Sequence, residues 1–276
     1  MLCLLNAETY KLKKSKSFYV CMAVTAAFIL FMFSTIFLMD KIQKEKIADP
    51  SGSFSVSIKN NEPTSSGSLW DSLHIMDMLQ EAFSGDSIGC ILCIFISIFV
   101  IREYSSGMMK NIAGKGCSRS SIYLSKLFAS ILATILIAVT GIAATLICGW
   151  IFMGAQAFDR NFWKNLPVYI ILQMIMITSL SSLFVFIGEL SRNLAAGIAV
   201  GICIISFPAL LLNVIDLQFA DHAFTPSQYW PVTRIASCPF EGFTTGYWIE
   251  TLLVAAFWII LTTAAGIWHF NKTDIR

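Results

Sequence analysis

The sequence predicts an all-α integral membrane protein with six transmembrane helices. Of its 276 residues, 56% are hydrophobic and 13% are charged, whereas soluble domains carry about 25% charged residues. The apolar residues are gathered into six runs, and a spanning helix needs about 20 mostly apolar residues. These two observations exclude a soluble protein and predict one transmembrane domain over residues 1–276.

The six apolar runs define the predicted spans. They cover residues 17–39, 85–101, 123–153, 166–188, 194–215 and 247–270. The third run is longer than a bilayer requires, so we expect it to tilt or protrude. Ahead of the first run, leucines and lysines mix over residues 1–16, which predicts a helix lying in the membrane interface.

The distribution of positive charge predicts the orientation. With both termini in the cytoplasm, 12 of the 19 lysine and arginine residues lie in inner segments and 7 in outer ones. Cytoplasmic segments of membrane proteins carry the excess of these residues. We therefore expect a multi-pass protein of the cell membrane with both termini cytoplasmic, residues 40–84 and 216–246 extracellular, and residues 102–122 cytoplasmic.

The two long outer segments differ in composition. The first has a flexible Ser- and Gly-rich middle, and then an amphipathic pattern that predicts a helix lying on the outer surface. Its apolar stripe comprises Leu69, Leu73, Met76, Leu79 and Phe83. The second segment is rich in proline and aromatic residues, which indicates either a loop packed over helix ends or a substrate gate.

The sequence offers no chemistry for an enzyme. It has three histidines, no H-E-x-x-H motif and almost no ionisable side chain within the spans. Because intramembrane charges usually mark proton or ion pathways, their scarcity also argues against a proton-driven transporter. Cys90 and Cys93 form a C-x-x-C inside an apolar run, where packing is the better interpretation. We assign no catalytic residue, metal ligand or cofactor to this chain, and we expect no nucleic-acid partner.

Mild polar side chains within the spans have two interpretations. Gln173, Thr178, Ser179, Ser182 and Asn213 are candidates for lining a translocation path. Alternatively, the hydroxyls bond to preceding backbone carbonyls or join neighbouring helices.

Small residues and a proline mark the fifth span. Gly197 and Gly201 are spaced for close helix packing, against either a second subunit or a neighbour in the same chain. Pro208 predicts a kink in this span.

The inner segment 102–122 predicts a short helix followed by a glycine hinge. Its Gly114-Lys115-Gly116 lacks the spacing of a phosphate-binding loop, so this chain is not expected to bind nucleotide. Met108, Met109 and Ile112 would cluster on one helix face. Such a face with flanking lysines suits docking to another protein; alternatively, the segment is a positively charged turn that only anchors topology.

The next helix is expected to begin with Ser118 as its cap. Lys126 then enters the membrane, and we expect its side chain to extend to the membrane surface.

The pattern E-Y-x-x-G-x-x-K-N-x-x-x-x-G-x-S-R-x-x-x-Y-x-x-K resembles the cytoplasmic segment of permease subunits of type-2 ATP-binding-cassette (ABC) exporters. The matching residues are Glu103, Gly107, Lys110, Asn111, Gly116, Ser118, Arg119, Tyr123 and Lys126. The resemblance implies that a cytoplasmic coupling helix between spans two and three docks onto a separately encoded ATPase, which holds ATP and Mg. It further suggests that residues 108–112 meet this partner while Glu103 and Arg119 brace the two ends of the loop.

The leading functional expectation is therefore the permease subunit of an ABC exporter. It would pair with a second permease chain, identical or related, within membrane lipid of a bacterial plasma membrane. Antimicrobial peptides or drugs are the cargo class that the resemblance suggests. Two alternatives are a self-contained secondary transporter or channel, and a membrane scaffold or sensor that moves nothing.

Overall fold

A computed structural model describes residues 2–48, 74–105, 118–154, 158, 160–218, 225–240 and 245–272. Within these ranges the secondary structure is entirely helical, and six helices are long and apolar enough to cross a membrane. The helices are α1 (Leu2–Lys14), α2 (Lys16–Ala48), α3 (Ile75–Ala82), α4 (Gly85–Ser105), α5 (Arg119–Met153), α6 (Arg160–Ser191), α7 (Leu194–Gln218), a 3₁₀ helix (Pro226–Tyr229), α8 (Pro231–Ala236) and α9 (Thr245–Lys272). The prediction of an all-α chain with six long apolar helices is confirmed.

The long helices extend beyond the apolar runs from which they were predicted. α5 begins four residues before position 123, and α6 begins six residues before position 166. Helical hydrogen bonding continues into polar flanks because nothing in those flanks breaks it. Pro167 lies inside α6 and Pro208 inside α7.

Helix α6 forms the centre of the bundle and contacts α4, α5, α7 and α9. In the most apolar 18-residue stretch of α6, 67% of the residues are buried, whereas the corresponding stretch of α7 has 11% buried. Its core face repeats every four residues through Leu172, Met176, Leu180 and Phe184, all almost fully buried. Helices α2, α7 and α9 each pack one side against the bundle and leave broad apolar faces that lipid can solvate.

The glycine pair of α7 packs against α4 of the same chain. A Cβ atom on Gly197 would lie 2.6 Å from Ile101 Cδ1, and one on Gly201 would overlap the Cys93 sulfur. Both glycines are therefore needed for the close approach of these two helices. Of the two alternatives left open by the sequence, the structure shows the neighbour within the chain.

The predicted amphipathic helix before span two packs into the protein rather than lying on the outer surface. Its described part, α3, buries Ile75, Met78, Leu79 and Ala82, mainly against α5. Met76, which the predicted stripe included, is only half-buried. Leu79 and Phe83 of the stripe are buried as predicted, but the buried face also takes in Ile75, Met78 and Ala82 because α3 packs against α5. Leu69 and Leu73 lie outside the described residues.

The described part of residues 216–246, the second segment predicted to be extracellular, covers helix ends. Gln80 Nε2 donates to the Ala236 carbonyl at 2.9 Å, which ties α3 to α8. Arg234 is buried and donates to Thr251 Oγ1 at 3.1 Å, and its guanidinium lies 4.2 Å from the Tyr247 ring centroid. This packing matches the first of the two interpretations given for this segment.

Two glycines of α9 allow a matched test of the packing between α9 and α5. A Cβ on Gly266 would lie 2.7 Å from Cε2 of the buried Tyr123 ring, whereas a Cβ on Gly246 meets nothing within 4 Å. We expect Gly266→Ala to lower the free energy of unfolding by about 1–3 kcal/mol through overpacking. Gly246→Ala should leave it unchanged or raise it slightly.

Denaturant unfolding in detergent micelles measures both variants. Equal stabilities would show that Tyr123 does not fill the space beside Gly266.

Candidate functional site

A chain of ion pairs joins four helices at the membrane face that carries α1. It comprises Glu8 and Lys11 of α1, Glu103 of α4, Lys126 of α5 and Glu189 of α6. The signs alternate along the chain, so each carboxylate faces an ammonium group. We call these five residues the ionic cluster.

The distances within the ionic cluster are those of direct ion pairs. Lys11 Nζ lies 3.0 Å from Glu8 Oε1 and 2.8 Å from Glu103 Oε1. Lys126 Nζ lies 3.2 Å from Glu103 Oε2 and 3.2 Å from Glu189 Oε1. Glu103 therefore bridges two lysines, and Lys126 bridges two glutamates.

The topology explains why these residues meet. Helices α4 and α6 end at this face and α5 begins there, so Glu103 and Glu189 near helix ends come level with Lys126 near a helix start. Glu8 and Lys11 are three residues apart on α1, and such residues are neighbours on a helix surface.

The inner part of the ionic cluster is almost fully removed from solvent. The side chains of Lys126 and Glu189 are 1% and 2% exposed. The prediction that Lys126 extends to the membrane surface was therefore wrong: a carboxylate on each side holds its ammonium group inside the protein. Burying each ion costs several kcal/mol, so the cluster fixes the arrangement of helices more than it adds net stability.

Burial also affects the two ionic-cluster residues that lie on α1, Glu8 and Lys11. Burial and the nearby charge of Glu103 raise the pKa of Glu8. Burial acts to lower the pKa of Lys11, but its hydrogen bond to Glu103 and the two neighbouring carboxylates raise that pKa overall. Lys11 is thus charged at neutral pH and links α1 to α4.

Aromatic and cationic side chains complete the surroundings of Glu189. The Tyr104 hydroxyl donates to Glu189 Oε2. The Tyr104 ring lies under two cations, with Lys126 Nζ 4.9 Å and Arg192 Cζ 5.5 Å from its centroid. Cations are attracted to the face of an aromatic ring. Arg192 stands in the turn between α6 and α7 with a positive φ of 49°.

The first and last residues of the sequence motif form one of these ion pairs. Glu103 and Lys126 meet across the base of the segment that joins α4 to α5. The prediction that Glu103 and Arg119 brace the two ends of the loop stays a prediction; in the structure the Arg119 guanidinium donates to the Asn271 carbonyl of α9 at 3.1 Å. The motif predictions for Gly107, Met108, Met109, Lys110, Asn111, Ile112 and Gly116 lie outside the described residues.

The remaining motif residues anchor the start of α5. Ser118 occupies the N-cap position, but its hydroxyl lies 2.7 Å from Ser121 Oγ instead of binding a backbone N–H. Its carbonyl accepts from Ile122 N at 3.2 Å. Tyr123 is fully buried, and its hydroxyl lies 3.5 Å from the Thr262 carbonyl of α9. The start of α5 is thus fixed to α9.

The candidates for lining a path are mostly engaged inside the bundle. Thr178, Ser179 and Ser182 each donate to the carbonyl three residues earlier, and Ser182 also bonds to Thr262 of α9 at 2.9 Å. Gln173 donates to the Ile235 carbonyl and the Tyr169 hydroxyl, both at 3.0 Å. These contacts are those of the alternative interpretation; Asn213 alone of the five is exposed, on α7.

The sequence reasoning missed the ionic cluster although a signal was present. Lys126 and Glu189 are charged residues next to long apolar runs, and the sequence places both near the same membrane face. Opposite charges at one depth indicate an ion pair, because an unpaired charge there is costly.

Among the described residues, no group of three or more His, Cys, Asp or Glu side chains is arranged to hold a metal ion.

Removing the central lysine tests the ionic cluster. Lys126→Met leaves Glu189 buried without its cation, and we expect the free energy of unfolding to fall by about 3–5 kcal/mol. Adding Glu189→Gln removes the stranded charge and should recover at least about 1 kcal/mol. Lys13→Met, at an exposed lysine of α1, should stay within about 0.5 kcal/mol of the parent.

Unfolding in detergent micelles gives the free energy of unfolding of the parent, of Lys126→Met and Glu189→Gln alone and combined, and of Lys13→Met. Additive losses for Lys126→Met and Glu189→Gln would contradict direct pairing of these two residues.

Comparison with known proteins places the chain in a family. The sequence model of the family described as "ABC-2 family transporter protein" matches residues 4–208. No curated protein matches the chain by sequence. The match covers α1 through most of α7 and includes all five residues of the ionic cluster. It spans well over half of the 276 residues, and six apolar helices accompany it. This chain therefore belongs to the ABC-2 family of transporter proteins and is a multi-pass membrane protein.

Proposed function

We propose that this chain is the permease subunit of an ABC exporter and that it takes its driving force from a separate ATPase through residues 102–122. Family membership supports a permease. The observation that carries the coupling role is the ionic cluster at the base of this segment. In this proposal ATP and Mg are held by the ATPase, and both termini of the permease face the cytoplasm.

The ionic cluster gives the coupling segment a rigid base. Within residues 102–122, α4 ends two residues after Glu103 and α5 begins seven residues before Lys126. Because Lys126 also pairs with Glu189, a force on the segment acts on α4, α5 and α6 together. Lys11 extends the connection to α1. Such a unit moves as a rigid body rather than bending helix by helix.

The translocation path is proposed to lie between two permease chains. The hydroxyls of Thr178, Ser179 and Ser182 are bonded inside the bundle, and α6 is packed on several sides. By contrast, α2, α7 and α9 present exposed apolar faces. A second copy, identical or related, packing against such a face would create a path whose width changes as the two rigid units move.

The cargo proposed from the family resemblance is an antimicrobial peptide or drug, exported across a bacterial plasma membrane. The competing function is a self-contained secondary transporter or channel. It would move substrate down a gradient when the purified chain alone is reconstituted, whereas the permease requires the ATPase. A scaffold or sensor would do neither.

The docking role of the coupling segment is tested by changing two adjacent apolar residues, Met108 and Met109. We expect Met108→Asp combined with Met109→Asp to weaken capture of the ATPase by about tenfold or more, because carboxylates cannot enter an apolar interface without a large desolvation cost. Met108→Leu with Met109→Leu keeps the apolar face and should retain capture.

Affinity capture of the ATPase on the tagged permease measures this, with membrane insertion checked in parallel. Undiminished capture by the Asp variant would show that these methionines are not part of the interface with the ATPase.

The force-transmitting role of Glu103 gives a separate prediction. Glu103→Ala breaks the link between the two ends of the segment, so we expect ATPase binding to persist while transport per ATP hydrolysed falls several-fold. Glu81→Ala, at an exposed acid on α3, is the matched control and should behave as the parent.

Reconstituted vesicles with both subunits measure the ratio. An unchanged ratio in Glu103→Ala would mean that the ion pair does not transmit force.

A further inference from the structure

Two adjacent cavities open beside the ionic cluster at the membrane face that carries α1. The first, of about 410 Å³, lies between the α1–α2 junction and α4. The second, of about 510 Å³, lies between the end of α4 and the turn from α6 to α7. Both are lined by Ile98 and Arg102, so they are neighbours on the two sides of these residues.

The polar linings of the two cavities are strongly cationic. The first contains Lys11, Lys14 and Arg102 with Glu103 as its acid, and the second contains Arg102 and Arg192. Glu103 already accepts two lysines in the ionic cluster. The ionic cluster contributes three carboxylates and two lysines, so with Lys14, Arg102 and Arg192 the described residues of this region carry five positive charges against three negative ones. This net positive charge attracts an anion to both cavities.

The N-terminus of α7 adds a second feature that attracts anions. Asn193 and Leu194, which begin this helix, line the second cavity together with Arg102 and Arg192. Asn193 engages two N–H groups of the first turn, since its Oδ1 accepts from Ala195 N at 3.1 Å and its carbonyl accepts from Gly197 N at 2.8 Å. This 25-residue helix therefore contributes mainly the positive end of its dipole. Two guanidinium groups and a helix N-terminus together form a recognisable phosphate environment.

The remaining lining is apolar and continues along the helices. Phe95, Ile98 and Phe99 form one wall of the first cavity, and Ile98, Ile101 and Leu194 line the second. These side chains lie on the membrane side of the cations, on helices that continue through the bilayer. A soluble anion would gain nothing from this surface, whereas a molecule with a charged head and hydrocarbon chains matches both parts.

We propose that the two cavities form a binding site for an anionic phospholipid of the surrounding leaflet. Its phosphate lies at Arg102, between Lys14 and Arg192, and its acyl chains run along Ile98 and the apolar walls. Basic pockets between transmembrane helices are a known kind of site for such head groups. The lipid then contacts α1, α4 and the start of α7 beside the ionic cluster, so it would clamp the base of the coupling segment.

The site is tested on the purified full chain in detergent by native mass spectrometry. Phosphatidylglycerol and phosphatidylcholine with identical acyl chains are the probes, and the first should bind preferentially. The triple variant Lys14→Gln, Arg102→Gln, Arg192→Gln should lose phosphatidylglycerol binding by about tenfold or more, since each cation near an anionic lipid surface contributes substantially.

The matched control removes three positive charges from the same face outside the cavities. Lys13→Gln, Lys16→Gln, Lys272→Gln should reduce binding by less than about twofold. If the triple variant fails to fold, Lys14→Gln alone, at an exposed side chain, should still weaken binding by about threefold.

Three results would overturn the proposal. They are equal losses in the two triple variants, equal binding of phosphatidylcholine and phosphatidylglycerol, and displacement of the lipid by inorganic phosphate at matching concentration. The last would show that the apolar walls contribute nothing. None of these measurements involves the ATPase, so they stand independently of the proposed transport function.

Discussion

The pairing of Lys126 with Glu103 and Glu189 is the constraint on which the arrangement of this protein depends. An ammonium group almost completely removed from solvent must be neutralised where it stands, and the two carboxylates come from different helices. Any displacement of α4 or α6 relative to α5 would separate charges in a medium of low dielectric. The ends of these three helices are consequently fixed to one another at a single membrane face. Lys11 adds α1 to the same unit by pairing with Glu103.

The remainder of the bundle divides into a packed core and a lipid-solvated exterior. α6 buries a four-residue repeat of large apolar side chains, and α7 reaches α4 through the two glycines Gly197 and Gly201. Lipid is as apolar as leucine, so exposed apolar faces on α2, α7 and α9 carry no penalty in the membrane. These faces can therefore serve as sliding or packing surfaces for another chain. The ionic cluster, by contrast, keeps the core from deforming, which is the combination that rigid-body motion between subunits requires.

The same region gathers the features that matter for function. Helix α4 ends close to Glu103 and α5 begins close to Lys126, and the cationic cavities open next to them through Lys11, Arg102 and Arg192. Helix α9 reaches this face as well, because its Asn271 carbonyl accepts from Arg119 at the start of α5. A partner protein that binds between α4 and α5 and a lipid bound in the cavities would thus both act on the helices that the ionic cluster joins. At the opposite face, Arg234 and Gln80 hold the described part of residues 216–246 over the helix ends.

The sequence by itself determined the fold class, the six long apolar helices and the family motif, because hydrophobic run length and the spacing of polar residues are local properties of the chain. It also identified Glu103, Tyr123 and Lys126 as residues of interest. It did not determine their partners. Lys126 was expected at the membrane surface, and the tertiary structure instead joins it to Glu189, 63 residues away.

The same limit applies to packing. The apolar stripe predicted before span two was displaced in the structure, since α5 rather than the membrane surface decides which face of α3 is buried. The hydroxyls of α6 were compatible with a path or with internal bonding, and only their neighbours in space distinguish the two. Contacts between distant residues depend on how helices of alternating direction bring their ends together. That arrangement is a property of the assembled bundle, and no single segment encodes it.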